Sequence, residues 1–215
     1  MSDRLLERLG ATCGMVYVVL LIGGDSLGGP TSRLAFSLEI LAFLFFLFFL
    51  GSLWSAMSRA EEGSGWLSAT AFGAGLMSVT IKVASAAPVL AARYRAPEGI
   101  DPQLARTLQD INDASFALTF FPLAILLAAF AIVAIRSGAL PGWLGWIAAG
   151  LSLAFLAGGL AGSANLAFEW AALPMLLYPF WVIATSIVLI RRAGEPRPVE
   201  EDTPAGRVAS AGSRY

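Results

Sequence analysis

The chain has 215 residues, of which 57% are hydrophobic and only 13% charged, and its formal net charge is -1. Soluble domains average about 25% charged and 45–50% apolar residues, so a water-soluble globule and a disordered chain are both excluded. Near-neutrality excludes a nucleic-acid binder as well, since such proteins carry a large basic excess.

A helix needs about 20 mostly apolar residues to cross the ~30 Å hydrocarbon layer. Six stretches meet or approach that length, at about 9–24, 34–57, 67–92, 114–135, 143–162 and 172–190. The fold expected is therefore all-α, a polytopic transmembrane helical bundle of six spanning helices over residues 1–192. Arg4 and Arg8 precede the first apolar run as in a signal peptide, but no small-residue cleavage site follows, so this run is read as a retained span. Gly10 and Gly14, four apart, suit close approach of a neighbouring helix. Span 2 contains eight consecutive Phe or Leu residues, Phe43 to Leu50, apolar on every side and expected to show much of its surface to lipid.

Ahead of span 4, Asp101 and Pro102 have the form of a helix N-cap and first helical residue. Leu104, Leu108 and Ile111 then form an apolar face, opposite Arg106, Gln109, Asp110 and Asp113. Arg106 and Asp110 have the spacing of an exposed helical ion pair. Pro88, Pro122, Pro174 and Pro179 fall inside or near spans and each removes a backbone donor. Residues 193–215, rich in Pro, Glu, Gly and Ser, read as a disordered cytoplasmic tail.

Arginine placement orients the bundle. With the N-terminus inside, nine arginines fall on the cytoplasmic side and four, Arg33, Arg93, Arg95 and Arg106, on the outside. Both termini are therefore expected to be cytoplasmic. Trp54, Trp66, Trp143 and Trp146 would then lie at the inner interface.

Two residue counts narrow the chemistry. Histidine is absent, which removes Ser-His and Cys-His nucleophiles and imidazole metal or haem ligation. Cys13 is the sole cysteine, so no internal disulfide or thiolate cage can form. No metal site and no cofactor are expected. Gly23-Gly24-Asp25 lacks the first glycine and the second mid-span aspartate of an intramembrane aspartyl protease. Ser78 and Ser85 flank Lys82 on one helix face, but serines in spans more often bond the preceding turn than act as nucleophiles.

Charged groups inside a span cost a few kcal/mol and are candidate functional residues for that reason. Glu39 lies six residues, about 9 Å, from Arg33, and Lys82 lies eleven residues, about 16 Å, from Arg93. Spans 2 and 3 are antiparallel, so a Glu39–Lys82 pair in the outer half of the membrane is expected. Asp25, Asp110, Asn112, Asp113, Asn165 and Glu169 cap spans on the same side. The candidate ligand-binding or proton-site residues are accordingly Glu39 and Lys82 as the buried pair, with Asp110, Asp113 and Glu169 as the rim.

The run Ile135-Arg-Ser-Gly-Ala-Leu-Pro-Gly-Trp-Leu-Gly145 joins spans 4 and 5. It resembles the corresponding turn of the domain-of-unknown-function 4386 family of bacterial multi-pass membrane proteins, where one span ends in Arg-Ser-Gly-x-Leu-Pro and the next begins near Leu-Gly. The resemblance implies a bacterial inner-membrane protein with this span order and carries no activity or site residue with it.

The function expected is a non-enzymatic integral membrane protein with a polar pocket open to the extracytoplasmic side, receiving a small ligand, a lipid or a partner. The alternative is a small ion- or proton-coupled transporter that uses Glu39 and Lys82. Expected partners are the lipid bilayer and a membrane protein or a second copy of the chain, with no nucleic acid.

Overall fold

A computed structural model describes residues 3–26, 33–61, 63–95, 99–163 and 172–194. Among the described residues every regular element is an α-helix: α1 (Asp3–Ser26), α2 (Arg33–Ala60), α3 (Trp66–Arg95), α4 (Pro102–Leu118), α5 (Phe120–Ser137), α6 (Gly142–Ser163) and α7 (Ala172–Arg192). Six helical stretches are long and apolar enough to cross a membrane, with α4 and α5 counted as one, Pro102–Ser137. The expected tail falls largely outside the described residues.

The α4–α5 junction has a chemical cause. Pro122 has no N–H, so it leaves the carbonyl of Leu118 without its helical donor. The Thr119 N–H turns back to the Phe116 carbonyl at 3.1 Å, and helical bonding resumes from the Leu123 N–H to the Thr119 carbonyl at 3.2 Å. Asp101 caps α4, its carboxylate accepting from the Gln103 N–H at 2.7 Å, as the sequence predicts.

Helix α5 is the axis of the bundle. About two thirds of its most apolar stretch is buried, against 28–39% for the other five, and it packs on α2, α3, α4 and α6. The Ser152 hydroxyl on α6 donates to the Ala124 carbonyl of α5 at 2.8 Å, an interhelical bond of the kind that holds helices together where water is absent. Beyond α5 the chain reverses through Gly138, in the left-handed region at φ 60°, and the Ala139 N–H bonds the Ser137 hydroxyl. Helix α6 then returns so close that a Cβ on Gly145 would lie 2.9 Å from Ile135 Cγ1. The Arg-Ser-Gly-x-Leu-Pro run is thus a helical hairpin whose residues serve packing.

On the other flank α1 lies against α2 and α7. A Cβ on Gly14 would collide with the Ser186 hydroxyl and lie 2.6 Å from Phe49 Cδ2, and one on Gly10 would collide with the Ser52 hydroxyl. The Gly10–Gly14 pair is therefore an internal packing seam. The Phe/Leu run of α2 is less lipid-facing than expected: Phe43, Phe46, Phe49 and Leu50 are buried on one stripe, while Leu44 and Phe48 are exposed on the other. Tyr17 supplies the reason, since its ring meets Phe46 at 4.8 Å and Phe43 at 6.1 Å.

At the near end, where α1 begins, Glu7 and Arg59 form an ion pair at 2.8 Å. Glu7, Arg59 and Arg192 line one small cavity there, so α1 starts and α7 finishes at the same end. Trp54, Trp66, Trp143 and Trp146 are all exposed toward this end. Glu61 does more than occupy the connection between α2 and α3. Its carboxylate accepts from the N–H groups of Leu67 and Ser68 at 3.0 and 2.8 Å and from the Ser68 hydroxyl at 2.6 Å, capping α3 from outside the helix.

Candidate functional site

The expected pair forms. Lys82 Nζ lies 3.2 Å from Glu39 Oε1, with side-chain exposures of 20% and 35%. Each residue sits where its helix passes a gap among α1, α2, α3, α4 and α7. Lys82 Nζ also stands 4.9 Å from the centroid of the Phe116 ring, a cation–π contact that partly replaces lost hydration.

Two cavities meet at this pair. A larger one of about 810 Å³ extends inward among α1, α2, α3, α5 and α7. A smaller one of about 340 Å³ extends toward the far end, where Gly24, Ala35, Arg93 and Asp113 lie. Leu21, Glu39, Phe43, Lys82 and Phe116 line both. The ion pair therefore belongs to the wall the two spaces share.

The other nominated residues divide. Asp113 lines the outer cavity and accepts from Gln109 Nε2 at 2.9 Å and Asn112 Nδ2 at 3.2 Å. Asp110 is exposed and lines neither cavity. It forms no ion pair with Arg106 among the described residues; an exposed pair gains only tenths of a kcal/mol in water, too little to hold two long side chains together. Glu169 and Asn165 lie outside the described residues. Arg93 lines the outer cavity with its guanidinium 5.2 Å from the Phe36 ring centroid.

Helix α4 also turns differently from the expected apolar face. Leu104 and Ile111 are exposed, while Asn112 and Phe116 turn inward. The near-continuity of α4 with α5 explains this, since the deeply buried face of α5 fixes the phase of both. Ser78 and Ser85 donate to the backbone carbonyls of Gly75 and Lys82 at 2.7 and 2.8 Å, so neither hydroxyl proton is directed at the Lys82 amine. Among the described residues no group of three or more Cys, Asp or Glu side chains could hold a metal ion.

The aromatic side chains around the larger cavity carry a signal that the charged residues alone do not. Phe116 meets Phe120 edge-on at 5.5 Å, Phe120 meets Phe155 at 5.4 Å, and Phe155 meets Tyr178 at 5.8 Å. From Tyr178 the contacts continue to Phe46 and then to Tyr17, which lines the larger cavity with Glu39. The chain of rings thus begins at Phe116, over which Lys82 sits, and ends at Tyr17 in the lining of the same cavity. Tyr178 is 3% exposed, and its hydroxyl has no hydrogen-bond partner among the described residues. A tyrosine in the middle of an apolar span was the available sequence signal for both Tyr17 and Tyr178.

No family model, curated protein or solved structure matches this chain.

Proposed function

We propose that this is a non-enzymatic bacterial inner-membrane protein of six crossings, both termini cytoplasmic, that binds an amphipathic ligand beside Glu39 and Lys82 from the extracytoplasmic half. The observation that carries the reading is the Glu39–Lys82 pair set in the wall of an 810 Å³ cavity. Small-molecule sites are concave spaces of about 300–1,000 Å³, largely apolar with a few convergent polar groups. Five arginines at the near end, Arg8, Arg59, Arg136, Arg191 and Arg192, favour the cytoplasm for that end. The protein purified from its native membrane is expected to retain a ligand visible by native mass spectrometry, and Glu39→Gln with Lys82→Met is expected to lose it. A ligand retained unchanged by the double variant overturns the reading.

A proton-coupled carrier is the second reading, favoured by the position of the pair between an inner and an outer space. It requires proton-driven uptake in proteoliposomes that Glu39→Gln abolishes while the protein still inserts. Uptake that survives Glu39→Gln removes it.

A further inference from the structure

The ligand-binding reading leaves the headgroup chemistry open, and the lining of the larger cavity narrows it. Its charges cancel: Glu39 and Lys82 are the acid and the base on its wall, and they neutralise one another at 3.2 Å. A ligand with a net charge of either sign would meet one partner's attraction and the other's repulsion, and would bring its own desolvation cost into a mostly apolar space. A neutral head meets neither penalty.

Donors are the groups left over. The Lys82 ammonium has three N–H bonds and one carboxylate contact. The hydroxyls of Ser78 and Thr119, also in the lining, already donate to the carbonyls of Gly75 and Phe116. A head that accepts hydrogen bonds complements this set.

The walls are aromatic. Tyr17, Phe43, Phe46, Phe116, Phe120 and Tyr178 face the space, a lining suited to a flat conjugated ring through stacked and edge contacts. The mouth is greasy: Ile22 of α1 and Leu176 and Phe180 of α7 line the cavity while remaining exposed. That geometry suits entry from the acyl region of the bilayer.

We infer that the cavity beside Glu39 and Lys82 binds a neutral, ring-bearing lipophile with a carbonyl head, the chemistry of an isoprenoid quinone. One carbonyl accepts from Lys82, the ring lies among the phenyl groups, and the tail leaves between Ile22 and Phe180. This inference rests on the ligand-binding reading above and adds the class of ligand.

The full chain in quinone-free nanodiscs of phosphatidylethanolamine and phosphatidylglycerol is titrated with radiolabelled decylubiquinone and, separately, with palmitoyl-lysophosphatidylethanolamine. Saturable binding of one decylubiquinone per chain is expected, weakened about tenfold by Glu39→Gln with Lys82→Met, the factor of one hydrogen bond from a charged donor. Val79→Phe, which fills the cavity wall, is expected to abolish it. Should Val79→Phe unfold, the paired Glu39→Gln and Lys82→Met variant decides alone. Saturable binding of the lysolipid with none of the quinone overturns the ligand class and leaves the binding reading standing. Quinone binding indifferent to Glu39→Gln with Lys82→Met overturns the placement. Absence of saturable binding of either probe overturns the inference and the reading together.

Discussion

At the scale of single residues, the energetics of Glu39 and Lys82 are those of two charges that need each other. Removing one leaves the other in a poorly solvated site, which costs more than removing both. Lys82→Met is therefore expected to lower stability in detergent more than Lys82→Met combined with Glu39→Gln. A coupling energy of about 1–3 kcal/mol from the double-mutant cycle would check this, and additive single effects would contradict it. Glu61 offers a second test, outside the spans. Burial pushes its carboxyl up, but the Ser68 hydroxyl and the N–H groups of Ser68 and Leu67 outweigh that and hold it below its ordinary value. A carboxyl depressed in the folded state contributes stability that is present above its unfolded value and is lost as pH falls through the folded one. Glu61→Ala is expected to cost about 1 kcal/mol at neutral pH, the worth of a helix cap, with the difference from the parent shrinking in acid. Thermal unfolding across an acid series reads both.

At the scale of elements, helix approach distances decide which glycines matter. Gly14 faces Ser186 and Phe49 with no room for a Cβ, whereas nothing lies within 4 Å of a Cβ at Gly73. Gly14→Ala is expected to destabilise by about 1–3 kcal/mol through overpacking. Gly73→Ala is expected to be neutral or to stabilise by up to about 1 kcal/mol through helix propensity. A common effect at both positions would contradict the packing described. The same elements show what the sequence could reveal. Hydropathy located every long apolar helix, because spanning length is a property of consecutive residues. Charge cost alone singled out Glu39 and Lys82. The rotation of α4 was not legible, because its phase comes from its continuation into α5. Nor was the cap made by Glu61, which reaches α3 across a turn, or the ring chain joining Phe116 to Tyr17 through four helices.

At the scale of the whole molecule, the lengths of the helices differ in a way a bilayer would register. Pro102–Ser137 comprises 36 residues, about 54 Å at helical rise, against a hydrocarbon layer of ~30 Å. If Arg136 lies at the near-end interface, as the proposed orientation requires, α4 would project beyond the far interface. A cysteine at Asp110 in a Cys13→Ser background is expected to react with an impermeant maleimide added outside intact cells. A cysteine at Arg136 is expected to react only after permeabilisation. The reverse pattern would invert the orientation proposed.

The ion pair in the shared wall has an electrical corollary. Opposite charges held 3.2 Å apart form a compact dipole, and a uniform transmembrane field turns a dipole without dragging it. Exchange of an uncharged guest past that couple moves no net charge across the potential. Under the binding reading proposed above, occupancy would be set by how much guest the surrounding lipid holds, and energising or collapsing the membrane would leave it unchanged.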